Sequence, residues 1–124
     1  MDLFVGTATG AIAFYRNDGT AKNAKFTLVS ERLGELAPGR RSRPTLADLT
    51  GDGVPDLLVG RESGGAIFYR NAGTQRAPRF VEERPLTLTL PPLSTPLAID
   101  LNGDGRPEIV SGTGGGGLVY WGGR

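Results

Sequence analysis

Neither cysteine nor histidine occurs among the 124 residues. Their absence removes Ser-His-Asp and Cys-His catalysis and the usual zinc ligands. A field of one sign is missing too. Fourteen Lys and Arg stand against thirteen Asp and Glu, for a net charge of +1, which favours neither nucleic acid nor an anionic membrane. No run is long and apolar enough to span a bilayer, and the first residues lack the basic and apolar regions of a signal peptide. Helical periodicity is also absent, because no 3.6-residue pattern survives the spacing of glycine and proline. With no nucleophile–base pair in sight, the chain reads as a non-enzyme.

What is abundant is punctuation. Twenty glycines and nine prolines separate short apolar runs, the pattern of many short strands joined by turns. A mass of 13.0 kDa suits one domain.

One nine-residue loop occurs twice, 52 residues apart, as Asp48-Leu-Thr-Gly-Asp-Gly-Val-Pro-Asp56 and Asp100-Leu-Asn-Gly-Asp-Gly-Arg-Pro-Glu108. Oxygen side chains fall at positions one, three, five and nine: Asp48, Thr50, Asp52 and Asp56, then Asp100, Asn102, Asp104 and Glu108. A hard cation takes six to eight oxygens, and glycine turns let near neighbours in sequence converge on one point. The loops hold six of the thirteen acidic residues, whose mutual repulsion demands a cation. Ca2+ is the expected ligand. An EF-hand is excluded, since its twelfth-position Glu would fall on Val59 or Ser111. Asp52 and Asp104, on like loops a repeat apart, read as ligands rather than as paired acid catalysts.

The loops belong to a longer repeat. Aligning Asp2, Asp56 and Glu108 brings Leu3–Gly6 onto Leu57–Gly60 and Ile109–Gly112, and Phe14-Tyr15-Arg16-Asn17 onto Phe68-Tyr69-Arg70-Asn71, with Tyr120-Trp121 in the third copy. Each period of about fifty residues holds four strand candidates. The first precedes the loop (Pro44–Leu49, Pro96–Leu101) and the second follows it (Asp56–Arg61, Glu108–Gly112). The third is Ala66–Arg70, with equivalents Ala11–Arg16 and Leu118–Trp121, and the fourth begins near Phe26 or Phe80. The middle ones are apolar on both faces, as in strands between neighbouring sheets. The expected fold is all-β, with propeller-type blades of four antiparallel strands and about two to two and a half blades per chain. The divisions are a partial blade over 1–42, a complete blade over 43–94 and a partial blade over 95–124.

This loop, followed by a short apolar strand ending in glycine, resembles the FG-GAP or VCBS-type repeat of integrin-alpha-like β-propellers, across essentially the whole chain. The resemblance implies that the loop joins the first two strands of a blade and holds calcium. It adds the carbonyls of Val54 and Arg106 to the side-chain ligands. Thr50 departs from the usual Asp or Asn and offers a weaker oxygen, while Glu108 in place of Asp needs more room. The resemblance also implies an extracellular or cell-surface location.

Paired aromatics such as Phe68 and Tyr69 are expected to fill space between blades. Arg40, Arg41 and Arg43 are read as a solvated loop. The glycine run 112–117 is no phosphate cradle, since a strand follows it rather than a helix. A partial propeller exposes sheet faces and open edges. Self-association, or the remainder of a longer propeller, is therefore expected to cover them. The leading functional expectation is a calcium-stabilised module for structure or recognition. The alternative is a lectin or adhesion module that binds a glycan or protein ligand.

Overall fold

A computed structural model of the chain describes residues 1–36, 38–83 and 88–122. Residue 37, in the first sequence division, 84–87 in the second and 123–124 in the third lie outside it.

Ten strands form among the described residues, with no α-helix. They are β1 (Leu3–Gly6), β2 (Ile12–Asn17), β3 (Phe26–Ser30), β4 (Arg43–Ala47), β5 (Asp56–Gly60), β6 (Ala66–Asn71), β7 (Phe80–Glu83), β8 (Thr95–Ile99), β9 (Glu108–Gly112) and β10 (Leu118–Trp121). They build three antiparallel sheets in simple meander order: β1-β2-β3, β4-β5-β6-β7 and β8-β9-β10. The sheets do not close into a barrel and have the make-up of partial propeller blades. Register identifies the equivalent strands: Leu3 pairs with Tyr15, Leu57 with Tyr69 and Ile109 with Trp121. Thus β1, β5 and β9 are equivalent. Among the described residues the first sheet has no counterpart of β4, and the third none of β7.

Each sheet turns where glycine permits it. The β1–β2 hairpin closes with Thr7 N–H on the Ala11 carbonyl at 3.0 Å and Gly10 at φ 100°. The glycine run after Gly112 closes the β9–β10 hairpin, with Gly116 N–H on the Thr113 carbonyl at 3.0 Å and positive φ at Gly116 and Gly117. That is a turn role and leaves no cradle.

The sheets stack through two apolar seams. Ile12 and Phe4 of the first sheet meet Leu57, Val59 and Tyr69 of the second. Leu58, Ala66 and Phe68, on the opposite face of the second sheet, meet Ala98, Ile109 and Trp121 of the third. This explains why Asp56–Gly60 is apolar without alternation: all five residues of β5 are buried, because a sheet lies over each face. Full burial of Leu57, Leu58 and Val59 is worth about 1.5–3 kcal/mol each. The Tyr69 phenol, in the first seam, has its pKa pushed up to about 12, chiefly by burial and then by Glu82. It stays protonated.

The basic run divides. Arg40 and Arg41 are exposed and lie 3.7 and 3.5 Å from Glu62, as a solvated loop allows. Arg43 departs from that expectation. It is half-buried and donates to the carbonyls of Leu93 and Ser94, tying the second sheet to the segment that leads into the third.

Glycine at the end of β5 permits close sheet stacking. A Cβ on Gly60 would lie 2.7 Å from the Ser94 carbonyl oxygen and would also strike the Pro96 ring. At Gly112, the equivalent place in β9, the nearest atom is Thr95 Oγ1 at 3.3 Å. Gly60→Ala is therefore expected to cost about 1–3 kcal/mol, and Gly112→Ala at most about 0.5 kcal/mol. Urea unfolding of both variants checks the contrast. Equal losses would refute close stacking as the reason for Gly60.

Candidate metal centre

The two nine-residue loops occupy equivalent places. Loop 1 joins β4 to β5, and loop 2 joins β8 to β9. Their backbones agree closely: Gly51 and Gly53 have φ of 79° and 85°, and Gly103 and Gly105 have 79° and 84°. These left-handed glycines let the chain coil tightly enough for its own N–H groups to point inward. In loop 1 Asp48 Oδ1 accepts from Gly51 N at 2.7 Å and Asp52 N at 3.1 Å, and Oδ2 accepts from Gly53 N at 2.8 Å. In loop 2 Asp100 accepts from Gly103 N at 2.7 Å and Gly105 N at 2.9 Å. Position one thus organises each turn.

Position five caps the next bend. Asp52 Oδ1 accepts Val54 N at 2.9 Å, and Asp104 Oδ1 accepts Arg106 N at 2.8 Å. Thr50, Asp52, Asn102 and Asp104 are exposed, whereas Asp56 and Glu108 at position nine are completely buried.

Asp56 has a structural duty that the sequence reading did not assign. Its Oδ2 accepts Leu49 N at 3.0 Å and Thr50 N at 3.1 Å, and its Oδ1 accepts Asn71 N at 2.8 Å. It therefore ties the start of loop 1 to the end of β6. Asp2 makes the same bond, 2.9 Å from Asn17 N.

Asn71 is the matching hub. Its Oδ1 accepts Gly73 N and Arg79 N at 2.9 and 3.0 Å, and its Nδ2 donates to the carbonyls of Pro55 and Thr74. Asn17 repeats the pattern on Gly19 N and Lys25 N, both at 2.9 Å. The repeated Arg-Asn pair was the available signal; only the hydrogen bonds assign it a role.

Loop 2 brings its acids together. Asn102 Nδ2 lies 3.2 Å from Asp104 Oδ2 and 2.9 Å from Glu108 Oε1, so one amide donor bridges two carboxylates. Glu108 Oε2 meanwhile accepts Leu101 N at 2.7 Å. In loop 1, where Thr50 stands in the place of Asn102, Asp48, Asp52 and Asp56 accept backbone N–H groups. Among the described residues no three acidic side chains converge as a ready-made metal cage. Loop 1 also lies in the field of a cation. Arg70, whose pKa is raised mainly by its 2.9 Å hydrogen bond to Glu83, gains smaller contributions from Asp52 and Asp56.

The donor set still suits a hard cation. A carboxylate offers about four acceptor directions. Asp48 and Asp56 each accept three backbone N–H groups, which leaves each about one direction for an ion. Asp52 and Asp104 keep more. All the candidate donors are oxygens, the chemistry of calcium rather than of softer metals.

Both loops line one cleft of about 730 Å³ between the second and third sheets, where Asp48 and Thr50 share the walls with Asp104, Arg106, Phe68 and Trp121. A second cleft of about 990 Å³ between the first and second sheets is lined by Phe4, Phe14, Phe80, Arg16 and Arg76, among others.

No curated protein and no solved structure matches the chain. A family model does. The FG-GAP-like repeat matches residues 1–59 and again 48–111, so loop 1 is shared by both matches. By matched length and by tandem register, the chain belongs to the FG-GAP-like repeat family.

Proposed function

We propose that the chain is a calcium-stabilised propeller module that serves structure or recognition and completes its propeller by self-association. The observation that carries the calcium part is the Asn102 amide bridging Asp104 and Glu108. Two carboxylates held around one partial positive charge define a place that a full positive charge fills better. Asn102 would then present its oxygen, with Asp100, Asp104, Glu108 and the Arg106 carbonyl completing the set. Loop 1 would use Asp48, Thr50, Asp52, Asp56 and the Val54 carbonyl. The bound ion supplies positive charge that closes an acidic turn. The chain's own part is to hold β4 to β5 and β8 to β9 at a fixed angle.

Exposed ligands and a neutral Thr50 suit the sub-millimolar to millimolar affinities of extracellular calcium modules. An extracellular or cell-surface location follows from that reading. Calorimetric titration of Asp104→Ala is the direct test. Loss of one charged ligand is expected to weaken the loop 2 site about tenfold or more, roughly 1.4 kcal/mol. An unchanged calcium isotherm would remove loop 2 as assigned.

A second reading has its own support in the cleft between the loops. Phe68 and Trp121 beside Asp48 and Asp104 combine aromatic surface with carboxylates, a lining that fits a polyhydroxylated ring. Glycan-array screening separates this lectin reading from a purely structural one, which expects no saturable signal.

A further inference from the structure

The two outer sheets expose apolar faces of a kind that the chain buries elsewhere. Leu3, Val5, Tyr15 and Phe26 of the first sheet match Leu57, Val59, Tyr69 and Phe80 of the second, identical in residue type at all four places. In the second-sheet set Leu57, Val59 and Tyr69 are buried against the first sheet, Leu57 and Val59 at 0% exposure, and the partly buried Phe80 packs with them. In the first-sheet set Leu3, Val5 and Phe26 are 41%, 38% and 48% exposed, and Tyr15 is half-buried. We call this the head face.

The tail face is its counterpart on the third sheet. Leu97 and Tyr120 both pair with Val110, and Leu118 pairs with Gly112, so these side chains share one face. They are 52%, 58% and 79% exposed at Leu97, Tyr120 and Leu118. Their equivalents in the second sheet are Thr45, Phe68 and Ala66. Phe68 and Ala66 pack on the third sheet, and Thr45 Oγ1 accepts Ala98 N–H from it at 3.5 Å.

A head-type face therefore meets a tail-type face at both internal seams, and one of each is left over. We propose that the head face docks on the tail face of a second copy of this chain, and that two copies close a ring. This rests on the self-association part of the function proposed above and specifies its polarity and number. The contact is heterologous, between unlike patches, so it propagates until rotation closes it. Propellers close with four to eight sheets. With three sheets among the described residues of each copy, two copies give six, the one multiple of three in that range. Exposed apolar faces of this extent on an isolated copy mark contact surfaces.

The test uses the 124-residue chain in millimolar calcium, with mass measured by sedimentation and composition by native mass spectrometry. Leu3→Glu damages the head and Leu118→Glu the tail. Leu28, 45% exposed, pairs with Tyr15 on the head face. The second pair, Leu28→Glu and Leu97→Glu, replaces either variant if circular dichroism shows it unfolded. The unaltered chain is expected to be a dimer. Each single variant is expected to associate at least about tenfold more weakly. Mixing an isotope-labelled head variant with a tail variant is expected to yield mixed dimers through the one intact contact. If only one of the two variants weakens the dimer, or mixed dimers are absent, like faces meet like: self-association stands and this inference falls. Trimers or open polymers overturn the two-copy ring. A monomer at every concentration overturns both this inference and self-association.

Discussion

Asp56→Ala is expected to destabilise the chain by about 3–5 kcal/mol in chelator, where no metal contributes. The carboxylate is fully buried and accepts three backbone N–H groups from two separate segments, Leu49–Thr50 and Asn71. Alanine leaves the buried Asn71 N–H and the part-buried N–H groups of Leu49 and Thr50 without their acceptor, and an orphaned buried donor costs about 1–3 kcal/mol. Asn is no full substitute. It has one acceptor oxygen, and its amide nitrogen would face a backbone N–H at the other position.

The control is Asp52→Ala. Asp52 is exposed and caps only its own turn at Val54, so its loss in chelator is expected within about 0.5–1 kcal/mol. Urea midpoints for the two variants decide the matter. If Asp56→Ala costs no more than Asp52→Ala without metal, position nine is a ligand and nothing else.

Chelating calcium from the unaltered chain is expected to lower its melting temperature by roughly 5–20 °C. Calcium at about ten times a sub-millimolar dissociation constant stabilises by about 1.4 kcal/mol per site, and the chain carries two loops of this kind. For a domain of this size each kcal/mol moves the midpoint by about 2–8 °C. Magnesium at equal concentration is expected to restore little, because it demands a tight octahedral shell that a glycine-coiled loop does not provide. Scanning calorimetry with calcium, magnesium and chelator reads this directly. Equal midpoints in calcium and chelator would contradict metal binding by either loop, whatever the family membership.

The sensitivity of the two loops should differ. Loop 1 has the neutral Thr50, and the Arg70 guanidinium stands in the field of Asp52 and Asp56. Loop 2 has Asn102 already set between two acids.

Much of the fold was legible beforehand for a local reason. Strand period, turn glycines and tandem register are written in consecutive residues. Expected starts at Phe26, Ala66, Phe80, Glu108 and Leu118 therefore coincide with β3, β6, β7, β9 and β10, and the loops fall where strand joins strand. Departures are small and lie at ends: the strand expected over Pro44–Leu49 runs Arg43–Ala47. The sheet pairs there only until Asp48 turns to its own loop.

What could not be read ahead depends on contacts between distant segments. Nothing near Asp56 in sequence announces that Asn71, fifteen residues on, takes one of its oxygens. Nothing near Arg43 points to the carbonyls of Leu93 and Ser94. Aromatic pairs alternate across a strand, but which of Phe68 and Tyr69 faces which neighbour is set by stacking: Phe68 meets the third sheet and Tyr69 the first.

The sequence by itself thus determined the repeat, the strands, the two acidic loops and the shortfall of a partial propeller, because each is a matter of spacing along the chain. Tertiary structure alone decided which acids are turned inward as structural acceptors, which are left exposed, and which faces remain uncovered. Those depend on what another sheet brings within a few ångströms, and a linear order of residues does not contain that distance.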